Sequence, residues 1–238
     1  MAFVPLSKHD VFVSYAVVDN GQPLGKPHGW VTAFVDELEL ELARCLGRKE
    51  LDLWLDRKRL SCNDVFSCEI NAELRRSAVM VILYSQGYLE SPWCRREREI
   101  FFQAMQGRHD SDRRLFLVEI DRVESDRRPD ELRRINYLRF WEETSDDNPI
   151  RFGCPVPNPS WESHQSFYRQ VAMLGRQVAS QLRRLKLLEQ GSERTEGVSH
   201  ATHDGPLVFL ADAADDVIHL RNEVATLPGP VRRAHSSR

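Results

Sequence analysis

Missing from the sequence are a C-x-x-C pair, a glycine-rich phosphate loop of either common kind, and any apolar run near the length of a membrane span. Without G-x-x-x-x-G-K-[ST] or G-x-G-x-x-G there is no ready cradle for phosphates. Without G-x-S-x-G there is no serine elbow. The five cysteines, Cys45, Cys62, Cys68, Cys94 and Cys154, are odd in number and lie mostly in apolar or helical stretches, so a reducing compartment is expected rather than a disulfide framework. Neither Cys62 with Cys68 nor His200 with His203 has zinc spacing, so no metal and no cofactor is expected. Cys94 has no histidine near it in sequence, which argues against a thiol nucleophile. An excess of basic charge is absent too. The net charge of −3 and the pI near 6.3 give no basis for broad binding to nucleic acid or anionic membrane. The start "MAFVPLSKHD" has no basic region leading into an apolar run, so a cytoplasmic protein with no membrane partner is expected.

What is present is an alternation of strand-length apolar runs with amphipathic stretches. A chain of 238 residues, 41% hydrophobic and 29% charged, can build one ordinary globular domain with residues left over. The strand expectations are "VFVSY" (11–15), "LDLWL" (51–55), "AVMVILY" (78–84), "LFLVEI" (115–120) and "YLRFW" (137–141). The third is apolar almost throughout, as a central parallel strand covered on both faces requires; the second and fifth alternate more and belong nearer an edge. Between them, Val31, Phe34, Val35, Leu38, Leu42 and Leu46 follow helical spacing up to a stop at Gly47, and Phe66, Ile70 and Leu74 repeat the pattern over 65–76. Strand, helix, strand, helix implies parallel pairing with right-handed crossovers. The four prolines of 144–160 argue against regular structure there, and a closing helix follows with the stripe Phe167, Val171, Leu174, Val178, Leu182 and Leu185.

Domain one is therefore expected over 1–188. The polar stretch "EQGSERTEGVSHATHDG" (189–205) reads as a flexible linker. Residues 206–238 then look like the start of a second βα unit. One strand and one helix cannot bury their apolar faces alone, so this unit packs on domain one, packs on another chain, or belongs to a longer protein.

In an open parallel sheet of order 2-1-3-4-5, ligands bind beyond the carboxyl ends of strands one and three, where the strand order reverses. The segments leaving those strands are "SYAVVDN" (14–20) and "YSQGYLESPWCRRE" (84–97). Within "SPWCRRERE" (91–99), Ser91 is placed to cap a helix and Pro92 suits its first turn. Trp93 and Glu97, four apart, share a face; Arg95, Arg96 and Arg98 are expected on the solvated side, and Glu99 is off the aromatic's face.

Three motifs in order, "HDVFVSYAVVD", "LWLDRKRL" and "SAVMVILYSQGYLESPWCRRE", resemble a TIR (Toll/interleukin-1 receptor) domain, most closely the bacterial members. The resemblance implies a flavodoxin-like α/β fold: five parallel strands in the order 2-1-3-4-5 with helices on both faces. For many members it also implies NAD+ as substrate, cleaved between nicotinamide and ribose. The glutamate of the W-x-x-x-E pattern is catalytic in those members, and that position is Glu97. The family's loop after strand two, used for self-association and for closing over substrate, corresponds to 56–64, with Asp56 at its start and Leu60, Ser61 and Cys62 lining the entrance. The family often has glycine where Asn63 stands. The loop from strand one would approach the nucleotide through Ser14, Tyr15, Ala16, Val17 and Val18, with Asp19 structural, and Trp93 would offer a stacking face. The segment 20–29 is longer than a minimal connection and is placed to overhang the crevice.

Two functional readings follow from that resemblance. One is an NAD+ glycohydrolase or cyclase activated by homo-oligomerisation through TIR–TIR contacts, in bacterial defence signalling. The other is a non-catalytic adaptor that recruits another TIR domain. A phospho-receiver of similar fold is disfavoured, because only Asp10, Asp19 and Asp56 supply acids at strand ends and no lysine follows the fifth strand.

Overall fold

The computed structural model describes residues 2–48, 51–55, 68–108, 110–146 and 148–196. Five strands, β1 (His9–Ser14), β2 (Leu53–Leu55), β3 (Ser77–Tyr84), β4 (Leu115–Glu119) and β5 (Tyr137–Arg139), form one sheet in the order β2-β1-β3-β4-β5. Every pairing in it is parallel. The doubly wound flavodoxin-like arrangement expected from the sequence is the one observed.

The central strand shows why. All eight residues of β3 are buried, because β1 and β4 flank it and helices cover both faces. Val79, Val81 and Leu83 enter one core layer with Val11, Val13 and Val118; Met80, Ile82 and Tyr84 enter the other with Phe12, Leu115 and Leu117. Each such aliphatic contributes about 1.5–3 kcal/mol by leaving water, so this strand fixes the register of its neighbours.

The first layer is closed by α1 (Trp30–Leu46) and α6 (Gln165–Glu196). Trp30, Phe34, Phe140 and Phe167 meet there with ring centroids 5.4–6.4 Å apart. Gly47 ends α1 in the left-handed conformation, φ 65°, as its sequence position suggested. The second layer is closed by α2 (Cys68–Arg75), the short α3 (Gln86–Glu90), α4 (Pro92–Met105) and α5 (Asp130–Arg133).

The structure departs from the sequence reading at three places. The fifth apolar run does not stay in one strand: β5 ends at Arg139, Phe140 turns into the core with no exposed surface, and the chain continues as β6 (Trp141–Glu143). β6 then pairs antiparallel with β7 (Pro149–Arg151), so 144–160 is not wholly irregular despite its prolines. Pro149 is the first residue of β7, where a missing N–H is tolerated. The closing helix, for its part, runs past Leu188 to Glu196, so the first eight residues of the expected linker are helical. The rest of that linker and the 206–238 unit lie outside the described residues, as does all of 56–67 between β2 and α2. Among the described residues, no helix is long and apolar enough to cross a membrane.

Candidate functional site

The carboxyl ends of β1 and β3 meet the start of α4. Ser91 caps that helix, its Oγ accepting from Cys94 N at 3.3 Å, and Pro92 holds the first position, where no N–H is needed. The helix then presents Cys94, Glu97, Arg98, Phe101 and Met105 inward, one stripe at helical spacing. A carboxylate in that stripe is brought into the fold.

Glu97 and Ser14 are both fully buried, and Ser14 Oγ donates to Glu97 Oε2 at 2.5 Å. Ser14 has one proton and a second acceptor in reach, the Tyr88 hydroxyl at 3.5 Å. The shorter contact takes the proton. Tyr88, also fully buried, donates to the Cys94 carbonyl at 3.3 Å. Burial pushes its phenol well above the ordinary value, so it remains a donor. Cys94 Sγ contacts the Tyr15 carbonyl at 3.3 Å. The start of α4 is thus tied to the end of β1 at two points, Glu97 to the Ser14 hydroxyl and Cys94 to the Tyr15 carbonyl.

A second network braces the loop leaving β1. Its 3-10 turn, Val17–Asn20, carries Asp19, whose Oδ2 accepts from Ser85 Oγ at 2.6 Å. Ser85 Oγ in turn accepts from Tyr88 N, capping α3. On its other side Asp19 meets Arg151 Nη2 at 3.4 Å, and Arg151 is held by Asp121 at 2.5 and 3.0 Å. Burial pushes the Asp19 carboxyl above its usual range, outweighing Ser85 and Arg151; the two aspartates in turn raise Arg151 against its own desolvation. Segments after β1, β3 and β4 are joined here through a residue of β7. Arg151 gave no signal in the sequence, because it lies 132 positions from Asp19 inside a stretch that looked irregular.

The remaining expected residues separate. Trp93 is half-buried, one turn ahead of Glu97 on α4. Tyr15 turns its ring into the α1–α6 layer, away from Glu97, while Ala16 enters the α4 layer. Val17 and Val18 are exposed, and Val18 closes against Gly87, where a Cβ would stand 2.6 Å from Val18 Cγ1. Asp56, Leu60, Ser61 and Cys62 lie outside the described residues. Arg98 is corrected outright. It is 6% exposed, not solvated, and its Nε donates to Glu131 Oε1 at 2.9 Å, since it falls on the same helical stripe as Cys94 and Phe101.

Chemically, the arrangement offers one enclosed carboxylate with a hydroxyl donor, an aromatic one turn away, and, among the described residues, no histidine or second acid in the hydrogen bonds of Ser14 and Tyr88. Such a group can stabilise developing positive charge; it is not set up as half of an acid–base pair. Among the described residues, no group of three or more His, Cys, Asp or Glu is placed to hold a metal ion.

A family model described as "TIR domain" matches residues 28–152, more than half of the chain, and takes in Trp93 and Glu97 but not Ser14–Val18. No curated protein matches the chain.

Proposed function

The chain belongs to the TIR domain family, and on that premise we propose that it is an NAD+ glycohydrolase in which Glu97 is the catalytic carboxylate. The observation that carries the reading is the Ser14–Glu97 contact, 2.5 Å between two fully buried groups at the end of β1. It lies where a doubly wound sheet takes its ligands.

A single carboxylate suits this reaction. Nicotinamide in NAD+ is cationic and leaves neutral, so no general acid is needed. The bond from ribose C1′ to the pyridinium nitrogen breaks with its electron pair going to nicotinamide. Positive charge then develops on the ribose, where the Glu97 anion opposes it. Water adds to C1′ and loses a proton to solvent, giving ADP-ribose; attack by an adenine nitrogen instead gives a cyclic product. Trp93 supplies a face for the pyridinium before cleavage. Activity depends on self-association, with the 56–64 loop shaping both the contact and the entrance, in defence signalling.

Incubation with NAD+ and quantification of nicotinamide tests this. Release is expected to rise more than linearly with protein concentration, and Glu97→Gln is expected to lower it about 100-fold or more. A wild-type protein that releases none at any concentration defeats the proposal.

A second reading is favoured by one observation: Glu97 has no exposed surface. If the crevice stays closed, the domain is a non-catalytic adaptor acting by TIR–TIR contact. Partner binding then survives Glu97→Gln and fails when the 56–64 loop is altered.

A further inference from the structure

A groove of about 960 Å3 opens at the β4–β5 edge of the sheet, away from Glu97. It exists because β5 is short. Pairing of β5 with β4 begins at Leu117 with Tyr137, so Leu115 and Phe116 have no strand beside them on that side. Leu115, with Phe102 of α4 and Ile135 ahead of β5, makes an apolar wall on one side of the sheet edge, while Phe116, next along β4, faces the opposite layer.

The groove's charge is unbalanced. Arg113, Arg134 and Arg176 all line it, and none has an ion-pair partner among the described residues. Two acids also line it, but both are engaged: Glu131 with Arg98 at 2.9 Å and Asp130 with Arg133 at 3.2 Å. A further lining residue, Gln181, is 8% exposed, and its Nε2 is buried without a hydrogen-bond partner. An unmet buried donor is destabilising, and an acceptor entering the groove would satisfy it.

We propose that this groove binds a nucleotide, its phosphates held by Arg113, Arg134 and Arg176 and its base laid against Phe102, Leu115 and Ile135. Guanidinium groups match phosphate oxygens in a two-pronged geometry. An apolar wall bordered by the amides of Gln177 and Gln181 suits a flat base with a hydrogen-bonding edge. A free phosphate would leave the wall in water, and an acyl chain would leave the amides unmet. The volume lies within the range of small-molecule sites, about 300–1,000 Å3. Leu115 begins β4 and Glu119 ends it, so the groove is at the amino end of the strands and the crevice at the carboxyl end. The proposal stands whether or not Glu97 is catalytic.

Calorimetric titration of the full chain with ADP tests it, with adenosine and inorganic phosphate as separate arms. ADP is expected to bind in the micromolar range, and each half alone far more weakly. The double variant Arg134→Gln/Arg176→Gln, on exposed positions, should weaken ADP about 100-fold, about tenfold per guanidinium removed. Glu97→Ala should leave ADP affinity unchanged, and hydrogen exchange should slow on ADP addition at 113–116, 134–136 and 176–181. The proposal fails if ADP does not bind at millimolar concentration, or if the double variant binds as well as the parent. It fails equally if phosphate alone binds as tightly as ADP, or if the protection falls on 14–20 and 85–97 instead.

Discussion

Ser14 is the smallest group on which the geometry of Glu97 depends. Its hydroxyl lies 2.5 Å from the carboxylate, in a place from which both are shielded from water. Ser14→Ala removes the donor and leaves the acceptor buried, so stability should fall by about 1.5–3 kcal/mol in urea unfolding. In the NAD+ assay the same variant should lose less activity than Glu97→Gln, because it frees the carboxylate without removing it. Arg98 supports a contrasting test. Its guanidinium is buried against the half-exposed Glu131, and a buried ion survives only with its partner. Arg98→Met keeps the volume and removes the charge, so it should stay within about 1 kcal/mol of the parent. Glu131→Ala strands the cation and should lower stability by about 1–3 kcal/mol. A loss from Arg98→Met with none from Glu131→Ala would mean that Arg98 matters for its packing and not for its pairing.

At the scale of elements, α1 starts without a side-chain cap of its own, since its N-cap residue is Gly29. Asn20, from the 3-10 turn after β1, substitutes: its Oδ1 accepts from Thr32 N at 3.0 Å and its Nδ2 donates to Thr32 Oγ1 at 3.0 Å. The intervening loop is left to project, with Leu24 fully exposed. The arrangement requires glycine, because a Cβ on residue 29 would stand 2.3 Å from the Asn20 carbonyl oxygen. Asn20→Ala should therefore cost about 1 kcal/mol, the usual value of a cap. Gly29→Ala should cost about 1–3 kcal/mol more, since it also forces backbone apart; thermal unfolding of both variants checks the order. None of this could be read from "NGQPLGKPHG", which suggests only a long connection. The body of α1 was legible, because Val31, Phe34, Val35, Leu38 and Leu42 repeat with the helical period and every one is buried. Periodicity reports which face meets the core; it says nothing about which distant residue meets an end. The β6–β7 hairpin was missed for a related reason. Phe140 lies inside an apolar run that looks continuous, and only the packing of Phe140 among Trp30, Phe34 and Phe167 breaks the strand there.

For the molecule as a whole, strand order and the crevice were legible because a parallel sheet buries its central strand on both faces, which "AVMVILY" advertises. That Glu97 shares a helical face with Trp93 was legible from their spacing; its contact with Ser14 was not. The polar groups that surround the crevice were not, because Asp19, Ser85, Asp121 and Arg151 come together from four separate segments. These buried acids give the fold a pH dependence with a definite sign. Burial raises the carboxyls of Asp10, Asp19 and Glu119 above the ordinary carboxylate range. Backbone amides lower Asp10 in part, and Arg128 lowers Glu119, but desolvation is the larger effect for each. A carboxyl raised by folding binds its proton more tightly in the native state than in the unfolded one. It therefore subtracts stability above its folded pKa, and that penalty is relieved as pH falls through the folded value towards the unfolded one. Glu73 has the opposite sign: Lys8 and His9 hold it below 4.5 despite its burial, so its contribution is lost only under more acidic conditions, as pH falls through its lowered value. The melting temperature should accordingly rise as the solution is taken from neutral to mildly acidic pH, then fall once Glu73 protonates. Asp19→Asn keeps a hydrogen-bonding amide beside Ser85 but removes one titrating group, so its rise on acidification should be smaller than the parent's. A parent protein whose melting temperature falls steadily from neutral pH downward would show that Arg151 and Arg128 compensate the buried acids fully.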